Sequence, residues 1–293
     1  MNKVKVIKNI HFLYFTLSIL FISLVCYDSF IGGEYLKRSL PLPENLLLFN
    51  AFFILPHIIF SYFVFFLGSK DNHKVLKSNI MIVVVYFSLY ISLLYYDISF
   101  FIFTYLIHGT YHLVMQQVGL CKVNGFIFQL LKVTALSLGL IIVFKCYSNY
   151  HIPYVAKAIL FLLVILLVYF RTNTFVFSNV FLLASMCILF ILEYSVLSLF
   201  LIRIAHDLTA FYFYSIHESN RRGLSLKIAF LKIYSISILA NLSLLYFFGE
   251  KDIFLFDLSI NLFILLSSFL AIGHYALESS MWKSSSPNRR FIY

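Results

Sequence analysis

The sequence predicts an all-α fold, a polytopic bundle of about ten transmembrane helices forming one integral membrane domain over residues 1–293. Three observations predict it. Hydrophobic residues make up 62% of the chain and charged ones 12%, with a mean hydropathy of +0.94, whereas a soluble domain carries about 25% charged residues. Apolar stretches of about 20 residues, long enough to cross a hydrocarbon layer, recur from end to end, and no intervening loop is long enough for a soluble domain. Lysine and arginine gather in alternate loops, as the positive-inside rule requires.

The first stretch, 9–31, follows Lys3, Lys5 and Lys8 as a signal peptide would, but it is long and has no small-residue cleavage site, so it reads as an uncleaved span. Val25 before Cys26 argues against lipoprotein cleavage. The second span is 46–68. The run from 78 to 118 is too long for one crossing and divides at Tyr96-Asp97 into 78–96 and 98–118. Spans 126–145 and 153–170 follow. The run from 175 to 218 divides at Glu193-Tyr194 into 175–193 and 196–218, and 228–248 and 254–276 complete the set; without the weaker divisions the count falls to eight or nine.

With the N-terminus inside, the inner loops hold Lys3, Lys5, Lys8, Lys70, Lys74, Lys77, Lys122, Arg171, Arg221, Arg222, Lys227, Lys283, Arg289 and Arg290. The outer loops hold only Lys37, Arg38, Lys145 and Lys251. Both termini are therefore expected in the cytoplasm, with the chain in the cell's inner or plasma membrane. The net charge of +10 follows from this bias. Nucleic acid is excluded as a partner because the basic residues are spread over many short loops. Cys26, Cys121, Cys146 and Cys187 form no C-x-x-C pair, so neither a thiolate metal site nor a disulfide framework is indicated.

Chemistry is carried by the histidines. Of nine, His57, His108, His112, His206, His217 and His274 fall within spans, where an ionisable group is costly and marks a functional site by default. All six lie in the second, fourth, eighth and tenth spans, which run from outside to inside in this topology. Counting back from the inner ends puts His57, His108 and His206 roughly 15–18 Å deep, His112 at roughly 9 Å, and His217 and His274 within about 5 Å of the interface. They define a polar site open to the cytoplasmic half of the bilayer.

His108 and His112 are four residues apart on one helical face, a spacing at which two imidazoles can hold one ion or hydrogen-bond to neighbours. In the eighth span Arg203, His206, Asp207, Tyr214, His217, Glu218 and Asn220 share an arc of about 160°. His206 and His217 stand roughly 16 Å apart along that axis, too far to share an ion, so they imply two sites or one indirect role. Asp207 offers either a ligand or an ion pair with Arg203. His274 and Glu278 repeat the four-residue spacing, followed by Trp282 and Lys283 as interfacial anchors. His57 follows Pro56, whose missing N–H frees a carbonyl to which the imidazole can alternatively bond. Gln116, Gln117 and Tyr214 are placed to orient ligands or to join helices.

Histidine with carboxylate suits iron, manganese or zinc. Six histidines near the cytoplasmic side of a helical membrane protein resemble the plan of membrane non-haem iron oxygenases, both the fatty-acid desaturases and hydroxylases and the Brp/Blh-type carotenoid-cleaving enzymes. This is a resemblance of layout. The chain has one H-x-x-x-H and no H-H dipeptide, so no family residue is transferred to it and no catalytic residue is singled out. The resemblance implies a non-haem iron cofactor of one or two ions, a lipophilic lipid or isoprenoid substrate and an electron donor. His108, His112, His206 and His57 would serve one ion, and His217, His274, Glu218 and Glu278 a shallower one; haem and zinc stand as alternative cofactors. The competing reading is a proton- or metal-ion-coupled transporter. The outer halves of the spans offer it little beyond Asp257 and Asn261. A lipid-modifying transferase with a single histidine base would leave most of the six without a role.

Overall fold

A computed structural model describes residues 3–69, 73–121, 123, 125–148, 152–255 and 258–281. Ten helices carry the architecture: α1 (Lys3–Phe30), α2 (Leu55–Ser69), α3 (His73–Tyr96), α4 (Ile98–Leu120), α5 (Phe126–Ser148), α6 (Pro153–Tyr169), α7 (Thr174–Ile191), α8 (Ser195–Arg222), α9 (Leu226–Phe248) and α10 (Leu262–Met281). Eight are long and apolar enough to cross a membrane, while α2 and α6 are shorter apolar helices. Many large apolar side chains point outward, including Phe30 at 86% exposure, Tyr246 at 84% and Phe126 at 79%. Apolar surface on this scale needs lipid to cover it. The chain has the features of an integral membrane protein.

The two divided runs break where polar residues interrupt them. Asp97 ends α3 and caps α4, its carboxylate accepting from the Ser99 and Phe100 amides at 2.6 and 3.1 Å. Between α7 and α8, Glu193 takes a left-handed conformation (φ 67°). Asn173 and Ser225 cap α7 and α9 through bonds from the Val176 and Ile228 amides. Gly223 (φ 65°) ends α8, with the Leu224 amide bonded to the Ser219 carbonyl.

Two expectations need correction. The last span does not begin at residue 254. Asp252–Leu255 and Leu258–Asn261 pair as an antiparallel hairpin, and α10 starts only at Leu262. Asn261 explains the boundary, since its Oδ1 accepts from the Phe263 and Ile264 amides while its Nδ2 donates to the Gly249 carbonyl at 2.8 Å. The helix therefore extends beyond 276, through Glu278 to Met281. The second span is not a single regular helix either. Asn50–Ile54 form a π turn that leads into α2, because Pro56 has no N–H to continue the α-helical ladder. Expectations for Lys70, Lys122, Asp257, Trp282, Lys283, Arg289 and Arg290 lie outside the described residues.

The chain divides into two compact units, one of Leu47–Tyr105 with Thr209–Tyr293 and one of Asn2–Leu46 with Leu106–Leu208. In the first, α10 packs on α2 and α3, and α9 packs on α2. Its core joins Ile54, Leu55, Ile58, Ala271 and Tyr275 to a second cluster of Tyr90, Leu94, Phe101 and Ile272. A side chain at Gly273 would collide with the Tyr62 hydroxyl and with Phe87, so glycine allows this approach. In the second unit α7 is central, packed by α1 and α6. There the Cys187 thiol reaches the Ala156 carbonyl at 3.0 Å and the Ser198 hydroxyl reaches that of Met186 at 2.8 Å. Cys121 and Cys187 are buried and Cys26 is exposed.

Candidate metal centre

The first unit brings His57 of α2, His274 and Glu278 of α10, and Tyr214 of α8 together, all of them buried. The two imidazoles meet edge to face, with ring centroids 4.7 Å apart and Nε2 to Nε2 at 3.1 Å. Their outer nitrogens decide what that contact means. His57 Nδ1 lies 3.1 Å from the Ile54 carbonyl, which only accepts, so Nδ1 carries the proton and the neutral ring has a bare Nε2. The Ser61 hydroxyl donates to the Ile58 carbonyl at 2.6 Å. It must therefore accept from His274 Nδ1 at 2.7 Å, and the His274 Nε2 is bare as well.

Two bare lone pairs facing at 3.1 Å repel unless a cation lies between them. The separation suits a shared proton and also two ligands of one metal, since nitrogens about 2.1 Å from a common ion at 90–109° stand roughly 3.0–3.4 Å apart. Glu278 lies beside His274, its Oε2 3.8 Å from His274 Nε2. The Tyr214 hydroxyl donates to Glu278 Oε1 at 2.5 Å, which leaves Oε2 turned to His274. Each donor thus has an outer partner that fixes its orientation, as metal ligands do. His274 and Glu278 belong to a buried histidine–carboxylate group that is able to hold a metal ion.

In the second unit, the rings of His112 on α4 and His206 on α8 meet at a centroid distance of 4.8 Å and an interplanar angle of 73°. A nitrogen of each lies within 4.8 Å of the other, and a carboxylate oxygen of Asp207 is as close to His206. Asp207 also faces Arg203, Nε to Oδ2 at 3.8 Å. Gln116 lies buried one turn beyond His112, and the Gln117 amide is buried with no hydrogen-bond partner for either atom. His108 is half-buried and, among the described residues, joins no group of three potential ligands.

Among the described residues, Glu218 and His217 join no group of three potential ligands. Both Glu218 oxygens are engaged by arginine: Arg221 binds them through Nε and Nη2 at 2.8 Å each, and Arg222 Nε reaches Oε2 at 2.7 Å. His217 Nδ1 lies 3.3 Å from Glu218 Oε1. This buried carboxylate is committed to ion pairs, so the arrangement serves the end of α8 rather than the shallower ion expected of His217, His274, Glu218 and Glu278.

The role of Ser61 was missed in the sequence, although its place four residues after His57 puts both on one face of α2. The pairing of His57 with His274 carried no local signal, because it joins residues 217 positions apart. Comparison with protein-family models, curated proteins and solved structures finds no match to this chain.

Proposed function

We propose that this protein is a membrane-embedded non-haem iron enzyme that oxidises a lipid or isoprenoid substrate. The observation that supports the reading is the facing pair of bare His57 and His274 nitrogens with Glu278 beside them. Two histidines and one carboxylate, with coordination positions left open, are the donor set of iron(II) oxygenases. Iron held there would supply the activation of O₂. The chain's own residues do the rest. His57 and His274 bind as neutral imidazoles, fixed by the Ile54 carbonyl and Ser61, and Glu278 binds through the one oxygen that Tyr214 leaves open. Tyr214 holds a proton next to the centre, within a single hydrogen bond of Glu278. The apolar side chains around the site exclude water and suit a substrate that enters sideways from the bilayer.

In this reading both termini and the electron donor are on the cytoplasmic side, where the basic loops gather. The test is anaerobic loading of the purified protein with Fe²⁺, then O₂ uptake and product analysis with unsaturated acyl lipids and isoprenoids, alongside His274→Ala. Substrate-dependent O₂ uptake that disappears in the variant supports the proposal.

A second reading shares the same observation, because a proton also bridges two bare imidazole nitrogens. It makes the site part of a proton-coupled carrier. Proton flux in reconstituted vesicles, with no O₂ uptake on any lipid, would favour it.

A further inference from the structure

The backbone that carries His57 is irregular, and its irregularity is held from outside. In the π turn the Leu55 amide reaches back to the Asn50 carbonyl. The next residue, Pro56, has no N–H to offer the Ala51 or the Phe52 carbonyl. Both carbonyls are taken by side chains of α9: Asn241 Nδ2 donates to Ala51 at 3.1 Å and the Tyr234 hydroxyl donates to Phe52 at 2.6 Å. Tyr234 and Asn241 are seven residues apart, two turns on one face of α9. Asn241 is 1% exposed, and so deep in an apolar helix an amide without a partner is costly. The next carbonyl used in this turn, that of Ile54, accepts from His57 Nδ1 and thereby sets which nitrogen of His57 is bare.

We propose that Tyr234 and Asn241 are positioning residues of the His57–His274–Glu278 centre: by clamping the carbonyls of the π turn they aim the His57 Nε2 at its partners. The inference rests on the metal-centre reading. Neither residue touches the ion. Each acts on it through the backbone, and π turns recur at functional sites for this kind of re-aiming.

The experiment uses Co²⁺, whose visible ligand-field bands report donor geometry. The purified full-length protein is titrated with Co²⁺ as wild type, His57→Ala, Tyr234→Phe, Asn241→Leu and Pro56→Ala, with helicity and Tm followed in each. Wild type is expected to bind and His57→Ala to lose binding. Tyr234→Phe and Asn241→Leu are expected to keep helicity, to weaken Co²⁺ binding about 10-fold or more, in the range that loss of ligand-orienting partners causes, and to shift the bands. Pro56→Ala restores an N–H, so it is expected to make the helix more regular while binding metal more weakly. A purely structural role would not produce that opposition. Binding and bands equal to wild type in Tyr234→Phe, Asn241→Leu and Pro56→Ala would overturn the positioning role and leave the metal centre standing, whereas a wild type that binds no Co²⁺ would overturn both.

Discussion

At the scale of single residues, the site is defined by which atoms already have protons. The Ile54 carbonyl and the Ser61 hydroxyl turn the Nε2 lone pairs of His57 and His274 toward each other, and Tyr214 occupies one oxygen of Glu278. Tyr214→Phe removes only the hydroxyl, so the fold should persist while metal affinity falls about 10- to 100-fold; competition with a chelator measures it, and unchanged affinity would count against Tyr214 as the orienting partner. Glu218 answers to a different balance. It is fully buried among Arg221, Arg222 and His217, so Arg221→Ala should strip a buried carboxylate of its bidentate partner and cost about 3–5 kcal/mol. Glu218→Gln should cost less, because it removes the buried charge along with the pairing. Thermal denaturation of the two variants in detergent compares them, and a milder loss in Arg221→Ala would contradict the assignment.

At the scale of elements, what was legible in the sequence followed from short-range physics. Asp97 and Glu193 interrupt apolar runs, and the helices end there. His274 and Glu278, one turn apart, lie together because a helix of any kind would bring them together. The same rule pairs His108 with His112 in sequence, yet His112 instead meets His206 of another helix. Spacing along a helix fixes a shared face, whereas the tertiary partner depends on which helices pack. Asn261 as the cap of α10 was obscured because 254–276 is apolar enough on average to read as one span despite Asp257 and Asn261, and hydropathy does not separate strand from helix. Asn261→Ala should cost about 1 kcal/mol by loss of the cap, read as a lower Tm with metal binding retained. Gly273 is the tighter constraint, since even an alanine Cβ meets Tyr62 and Phe87. Gly273→Ala should cost about 1–3 kcal/mol by overpacking and displace His274, so Tm and metal affinity should fall together.

At the scale of the molecule, apolar helices with outward aromatic faces need a bilayer around them, and within that setting six histidines concentrate the polar chemistry. Burying neutral imidazoles and a carboxylate costs solvation that a bound cation would return, which would tie the stability of the first unit to that ion. The most direct test is elemental analysis of the protein purified in mild detergent after anaerobic Fe²⁺ loading, with His57→Ala and His274→Ala in parallel. Near-stoichiometric iron is expected in the wild type, and its loss in both variants. Wild-type protein that stays free of metal after loading, or variants that retain the ion, would contradict the metal centre.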